Sequence, residues 1–203
     1  EVDADFIKGE DVGIVDPVPG EPVLSVRGRI AYCAQSAWIM NASVRENITF
    51  GQPFDRDWYE EVVDTCCLRS DFAQFVAGDM TEIGEKGATL SGGQKHRIAL
   101  ARAVYSKADI YLLDDPLSAV DAHVGKRLFE DVILGLLRDK TVILATHQLQ
   151  FLPRCGRSIC IADNRIAHDG EFNEDLLKGA LGDDYKKAVA QYKALLSDQT
   201  PKN

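Results

Sequence analysis

Two hydrophobic rhythms alternate along the chain. Ile110-Tyr111-Leu112-Leu113 is an unbroken apolar run between Asp109 and Asp114. Such a run predicts a strand buried on both faces, as in a parallel sheet. Thr141-Val142-Ile143-Leu144-Ala145 predicts a second buried strand, and Arg29 to Cys33 a shorter one that ends at Ala34-Gln35. Elsewhere the apolar residues recur at helical steps. Tyr59, Val62, Val63, Cys66 and Cys67 predict a helix capped by Asp55 or Asp57. A second helix is expected to start at Ser91, and Val124, Leu128, Val132 and Leu136 mark a long one. Ser158 to Ala162 and Arg165 to His168 flank Asp163-Asn164 and suggest a hairpin. Residues 9 to 28, where Pro17, Pro19 and Pro22 alternate with Gly13 and Gly20, read as loop. The tail from Asp183 to Leu196 reads as helix. Strands alternating with helices predict an α/β fold with βαβ units and a covered parallel sheet. In such sheets ligands bind beyond the carboxyl ends of the strands. That singles out Gln35, Asp114 with Asp115, and Thr146 with His147.

Composition narrows the partners. Of 203 residues, 45% are apolar, enough for a core in one α/β domain. Lys and Arg number 23 against 32 Asp and Glu, a formal charge of -9 that argues against a general nucleic-acid binder. No apolar stretch approaches the roughly 20 residues of a membrane span. The start, Glu1-Val2-Asp3-Ala4-Asp5, is acidic where a signal peptide is basic. Cys33, Cys66, Cys67, Cys155 and Cys160 form no C-x-x-C pair and read as reduced thiols of a cytosolic domain. The sequons at Asn41 and Asn47 read as chance matches.

Two short stretches carry candidate chemistry. Ser91 with Gln94 forms a capping box, which by itself is structural. Gly92 and Gly93 between them weaken a helix at its first positions, which a cap does not explain. Glycines there open the backbone N–H groups, at the positive end of the helix, to a phosphate. Asp114 and Asp115 follow a buried strand and precede Pro116. One such Asp is a turn cap; two in a row favour Mg²⁺ and nucleotide chemistry. His147 and Gln35 mean little alone. They gain weight because their strands are expected to share a sheet with Asp114.

Taken together these residues resemble the ABC ATPase family. Leu90 to Gln94 resembles the LSGGQ signature, Ile110 to Asp114 the Walker B strand, and Ser118 to Asp121 the D-loop. His147 resembles the switch histidine and Gln35 the Q-loop glutamine. The resemblance runs from about Arg29 to Leu177, and five motifs in order are far more specific than one. Ala37-Trp38-Ile39, Arg45 to Ile48 and Phe50-Gly51 are similar to the Q-loop region of exporters, and Thr81 to Gly87 to their X-loop. Tyr111 to Gly125 is similar to the first nucleotide-binding domain of the C subfamily, the multidrug-resistance-associated proteins.

The resemblance implies a P-loop NTPase (ABC ATPase) core with a parallel sheet and an α-helical signature subdomain. It divides the chain into an N-terminal β remnant and loop over 1–35, a helical subdomain over 36–105, and a RecA-like core over 106–173. C-terminal helices or linker fill 174–203. It implies ATP and Mg²⁺ as cofactors, with Ser91, Gly92, Gly93, Gln94 and Asp121 contacting nucleotide held by a partner cassette. Asp114 and Gln35 would serve Mg²⁺, and Asp115, His147 and Gln35 would carry catalysis. The implied partners are a second nucleotide-binding domain, paired head to tail, and membrane domains reached through the X-loop and Q-loop region. The implied location is the cytoplasmic face of a membrane.

Two departures qualify this. No G-x-x-x-x-G-K-[ST] occurs: Lys126 follows Gly125, but Arg127 comes next and Val120 stands where the first glycine belongs. That loop supplies the N–H cradle and lysine for the phosphates. Family order places it just before Glu1, so the chain is expected to be the C-terminal part of a cassette in a longer transporter, inactive alone. Asp115 also stands where active cassettes carry glutamate, which implies slow hydrolysis. Transport of a drug, thiol conjugate or organic anion, and nucleotide-sensing beside a channel, fit these motifs equally. The X-loop and the acidic balance argue against a soluble ABC-type ATPase acting on nucleic acid.

Overall fold

The computed structural model describes residues 26–84, 89–162, 164–173 and 175. Residues 9–25 of the predicted loop, the X-loop residues 85–87, Asp163 and the predicted tail helix over 183–196 lie outside them, as do most of the segments 1–35 and 174–203. No helix among the described residues is long and apolar enough to cross a membrane.

Three parallel strands form the sheet: β1 (Ile30–Cys33), β2 (Ile110–Asp114) and β3 (Thr141–Ala145), in the order β1-β2-β3. The register sets Cys33 beside Leu113, and Asp114 beside Ala145. All three strands therefore end on one edge. Between β1 and β2 the chain forms α1 (Val44–Thr49), α2 (Arg56–Thr65), α3 (Arg69–Phe72), a 3₁₀ turn at Gly78–Met80, and α4 (Gly92–Tyr105). Asp55 caps α2 by accepting from the Trp58 N–H, and the helix stops at Thr65 because Cys67 turns left-handed, with φ 58°. After β2 comes α5 (Ala122–Arg127), then β3, a 3₁₀ turn over Leu149–Arg154, and the antiparallel hairpin β4 (Ser158–Ala162) and β5 (Arg165–Gly170).

The long helix predicted from Val124 to Leu136 is not uniform. Past Arg127 it winds wider over Leu128–Leu136, and Leu137 N–H bonds back to Val132 O at 2.9 Å, five residues away. Gly135 suits this winding, since a Cβ there would crowd the Glu130 carbonyl at 3.2 Å. The turn still buries Leu128, Phe129, Val132 and Ile133, and Phe129 stacks on Phe151 at 4.3 Å.

The expectation that β2 and β3 are buried on both faces holds for one face only. Ala31, Cys33, Tyr111 and Leu113 point into the core, where α4 packs against β1, α1 and α2. The opposite face carries Tyr32, Leu112 and Ile143 side by side, with Tyr32 62% and Ile143 59% exposed. The described helices lie against the first face, so the apolar run of β3 exceeds the cover it receives here.

Polar groups lock the helices together. Arg97 Nη2 donates to Asp71 Oδ2 at 2.6 Å and Gln94 Nε2 to Asp71 Oδ1 at 3.1 Å, in a largely buried pair that ties α3 to α4. Arg102 has no carboxylate partner among the described residues. It donates to Asn47 O, Asn47 Oδ1 and Trp38 O, and its guanidinium lies over the Trp38 and Phe50 rings. Burial pushes its pKa down, and those oxygens and ring faces offset the lost hydration. Asn47, one of the two sequon asparagines, is fully buried, with Nδ2 donating to Met40 O and Ser43 O.

The two glycines that open α4 differ. A Cβ on Gly93 would sit 2.9 Å from the Ala119 carbonyl, whereas one on Gly92 would meet nothing within 4 Å. Gly93→Ala should therefore cost about 1–3 kcal/mol by overpacking. Gly92→Ala should be neutral or stabilising by up to about 1 kcal/mol. Melting curves of the two variants in the same parent protein check this, and equal losses would contradict it.

Burial pushes the Cys33 thiol up to about 11. The folded chain then keeps a proton that the unfolded chain releases near the ordinary thiol value of ~8.5. This stabilisation is full below that value and is lost as the pH climbs towards about 11. Mass spectrometry after iodoacetamide treatment at pH 8.5 should find Cys33 unmodified in native protein and alkylated in denaturant. Ready alkylation of the native protein would contradict the burial argument.

Candidate functional site

The site lies on the edge where the parallel strands end. β1 delivers Gln35 two residues past its last member, β2 delivers Asp114 and Asp115, and β3 delivers Thr146 and His147. The crossover from β1 to β2 passes through α4, so α4 also opens towards this region. Gln35, Asp114, Asp115 and His147 thus stand as the sequence predicts, at neighbouring strand ends.

The closest meeting is between Asp115 and His147. His147 Nδ1 lies 2.9 Å from Asp115 Oδ2, with the imidazole side chain 73% exposed and the carboxylate only 8%. Thr146 Oγ1 donates to Asp115 Oδ1 at 3.3 Å, so both carboxylate oxygens have partners within the chain. Asp115 holds φ 48°, a left-handed conformation that Asp tolerates better than most residues. Its N–H donates to Ala145 O at 2.8 Å, which extends the β2–β3 ladder one residue past the strand. The ladder fixes the backbone, and the left-handed turn swings the side chain across to β3.

The Asp114 carboxylate has neither a hydrogen bond nor an ion pair among the described residues, and its strand-end position leaves the residue half-buried. No group of three His, Cys, Asp or Glu side chains that could hold a metal occurs among the described residues. A single carboxylate with a nearby amide suits Mg²⁺, which keeps several waters and leans on substrate phosphates. It does not suit Zn²⁺, which takes a closed protein shell.

The first turn of α4 meets the edge from the side. Ser91 Oγ accepts from Gln94 N–H at 3.2 Å, and Ser91 N–H donates to Gln94 Oε1 at 2.8 Å, completing the capping box. Gln94 is thereby committed within the chain, to Ser91 and to Asp71. Gly92 is exposed and open, while Gly93 closes against Ala119. An anion reaching this turn would meet it from the Gly92 side, beside the Ser91 hydroxyl. Asp121 caps α5, accepting from His123 N–H at 3.0 Å and Val124 N–H at 3.1 Å. The Val124 N–H, more than that of His123, holds its carboxyl below the usual range.

Three connections were not legible beforehand. His96 Nδ1 lies 2.9 Å from Gly92 O and Nε2 lies 2.9 Å from Gln35 O. Both oxygens can only accept, so the ring is the donor wherever it bonds one of them. Gln148 Nε2 donates to Leu117 O at 2.9 Å, tying the turn after β3 to the turn after β2. A glutamine beside a strand-end histidine carries no sequence signal of that kind. The hydroxyl of Thr146, also at a strand end, is a signal that the sequence does carry. Finally, Val44 N–H donates to Thr81 O and Ile83 N–H to Ala42 O, so the start of the X-loop is laced to the segment after Trp38.

Comparison with known proteins shows what the chain is similar to. The family model described as ABC transporter matches residues 6–118. The chain is 53% identical over 168 residues to ABC transporter C family member 7 of Arabidopsis thaliana, covering 83% of this chain and 11% of that protein. It is 54% identical over 157 residues to multidrug resistance protein mrp-7 of Caenorhabditis elegans, covering 76% of this chain and 10% of that one. To ABC transporter C family member 3 of Dictyostelium discoideum it is 47% identical over 163 residues, 80% of this chain and 11% of that protein. The chain thus spans roughly a tenth of the length of the curated relatives it matches. With a parallel sheet whose strand ends gather Gln35, Asp114, Asp115 and His147, the chain belongs to the ABC transporter family, as an ATP-binding cassette of the C-subfamily type.

Proposed function

We propose that this chain is part of a nucleotide-binding domain that binds ATP at an interface with a second cassette, hydrolyses it slowly, and couples this to export of a solute. The solute class is a drug, thiol conjugate or organic anion. The observation that carries the slow-hydrolysis reading is the Asp115–His147 contact, with Thr146 on the other carboxylate oxygen. A carboxylate bonded on both oxygens and withdrawn from solvent is a weak general base for water. The exposed imidazole is free to meet a phosphate oxygen.

The remaining roles follow from placement. Asp114 and Gln35 would hold Mg²⁺, which supplies positive charge to phosphates. Ser91, Gly92 and Gly93 would present the α4 N-terminus to ATP held by the second cassette, Gly92 by leaving the approach open and Gly93 by fixing the turn. Gln94 would act by holding Ser91 in place, and Asp121 by fixing the turn that faces the partner. The phosphate cradle and its lysine, absent from this sequence, would come from a segment of the longer protein outside these 203 residues. The segment Ala37 to Gly51 and the X-loop start, laced together, would form the contact with the membrane domains at the cytoplasmic face. Residues 36–105 then act as the helical subdomain and 106–173 as the catalytic core.

The test is made in the intact transporter, with the second cassette's own catalytic base replaced by an uncharged residue. Asp115→Glu should raise phosphate release at saturating Mg-ATP by about tenfold or more, since a placed general base contributes about 10²–10⁴-fold. Unchanged release would sink the slow-site reading. Failure of the unmodified transporter to bind ATP would sink the whole proposal.

A further inference from the structure

His96 faces a backbone oxygen with each ring nitrogen. Through Nδ1 it folds back onto Gly92 O of its own helix, four residues earlier, and this short-range contact fixes the ring. Through Nε2 it reaches Gln35 O, 61 residues away in sequence. Among the described residues this is the hydrogen bond that joins the segment 34–37 to the first turn of α4. Arg102, six residues after His96 on the same helix, holds the next residue, Trp38. The ring forms one wall of an open groove of about 370 Å³ shared by Gln35, Ser36, Ala37, Gly92 and Lys95.

We propose that His96 is a positioning residue that couples the two ATP pockets. The inference rests on the roles proposed above: Gln35 for this cassette's own Mg-ATP, and the first turn of α4 for the ATP of the second cassette. A shift of Gln35 on nucleotide binding pulls, through one imidazole, on the turn that presents Ser91 and Gly92. Gly93 carries the same turn onto the Ala119 carbonyl, so it moves as a unit with the segment leading to Asp121. The coupling needs a side chain that donates from the position of Nε2. Alanine removes the donor, whereas the glutamine amide reaches about as far and keeps it.

The experiment compares wild type, His96→Ala and His96→Gln in the intact transporter. Nitroxides on unnatural side chains at Ser36 and Lys95, two exposed residues on the groove, report its width by dipolar broadening without nucleotide. Broadening should fall in His96→Ala and return in His96→Gln. Loss of one such bond should lower kcat for ATP about threefold to tenfold, leave KM little changed and bring the Hill coefficient towards one, with His96→Gln restoring both. Unchanged broadening in His96→Ala overturns the staple by itself. Reduced broadening with unaltered kcat and Hill coefficient overturns the coupling. A wild-type transporter that hydrolyses no ATP removes the proposed function, and the coupling with it, whatever the spin labels report.

Discussion

Parallel pairing of β1, β2 and β3 is the constraint from which the site follows. Parallel strands cannot be joined by a tight turn, so the chain must return along a crossover before each new strand. Every strand then ends on the same edge, and a crossover helix that leads back to the next strand opens at that edge. Its N-terminal N–H groups point outward there, unpaired by the helix itself. The register Cys33–Leu113 and Asp114–Ala145 therefore gathers an amide, carboxylates, an imidazole and a helix start, without any of them being near in sequence. A one-residue slip of β2 would turn Asp114 to the other face of the sheet and dissolve the arrangement.

Within that frame, the first turn of α4 is gripped rather than merely placed. Its cap is internal, through Ser91 and Gln94. Gln94 runs on to Asp71, which also pairs with Arg97, so the turn is braced from α3. Gly93 rests on Ala119 and His96 reaches Gln35. Beyond the internal cap, contacts to three separate segments leave Gly92 and the Ser91 hydroxyl as the open part. The rigidity of the other residues defines where an anion can approach.

The edge residues were legible because strand ends can be located from apolar runs, and the rule for parallel sheets supplies the rest. Ser91 was legible as a cap because capping is local, set by residues three apart. Gly92 and Gly93 look alike in the sequence, and only their surroundings tell them apart. Whether a glycine is needed depends on what lies opposite its missing Cβ, and the Ala119 carbonyl comes from a turn 26 positions along the chain. Arg102, Asp71 and His96 escaped for the same reason, since each acts on a partner far off in sequence. The expectation of two buried faces for β3 failed differently. An apolar run reports how much cover a strand is suited to, and the described elements cover the other side of the sheet from Ile143.

Asp115 shows how a single methylene is decided by its surroundings. The left-handed backbone at 115 and the ladder bond to Ala145 set where the side chain leaves the chain. From that origin a short carboxylate reaches Thr146 and His147 and no further, so its lone pairs are drawn inward to β3. A longer side chain from the same origin would carry its oxygens past the strand end, where the proposed function puts the attacking water. The imidazole would then lose a partner on Nδ1 while the edge gained a base. Histidine orientation and basicity towards water are thus opposing uses of one carboxylate, and this sequence favours the first.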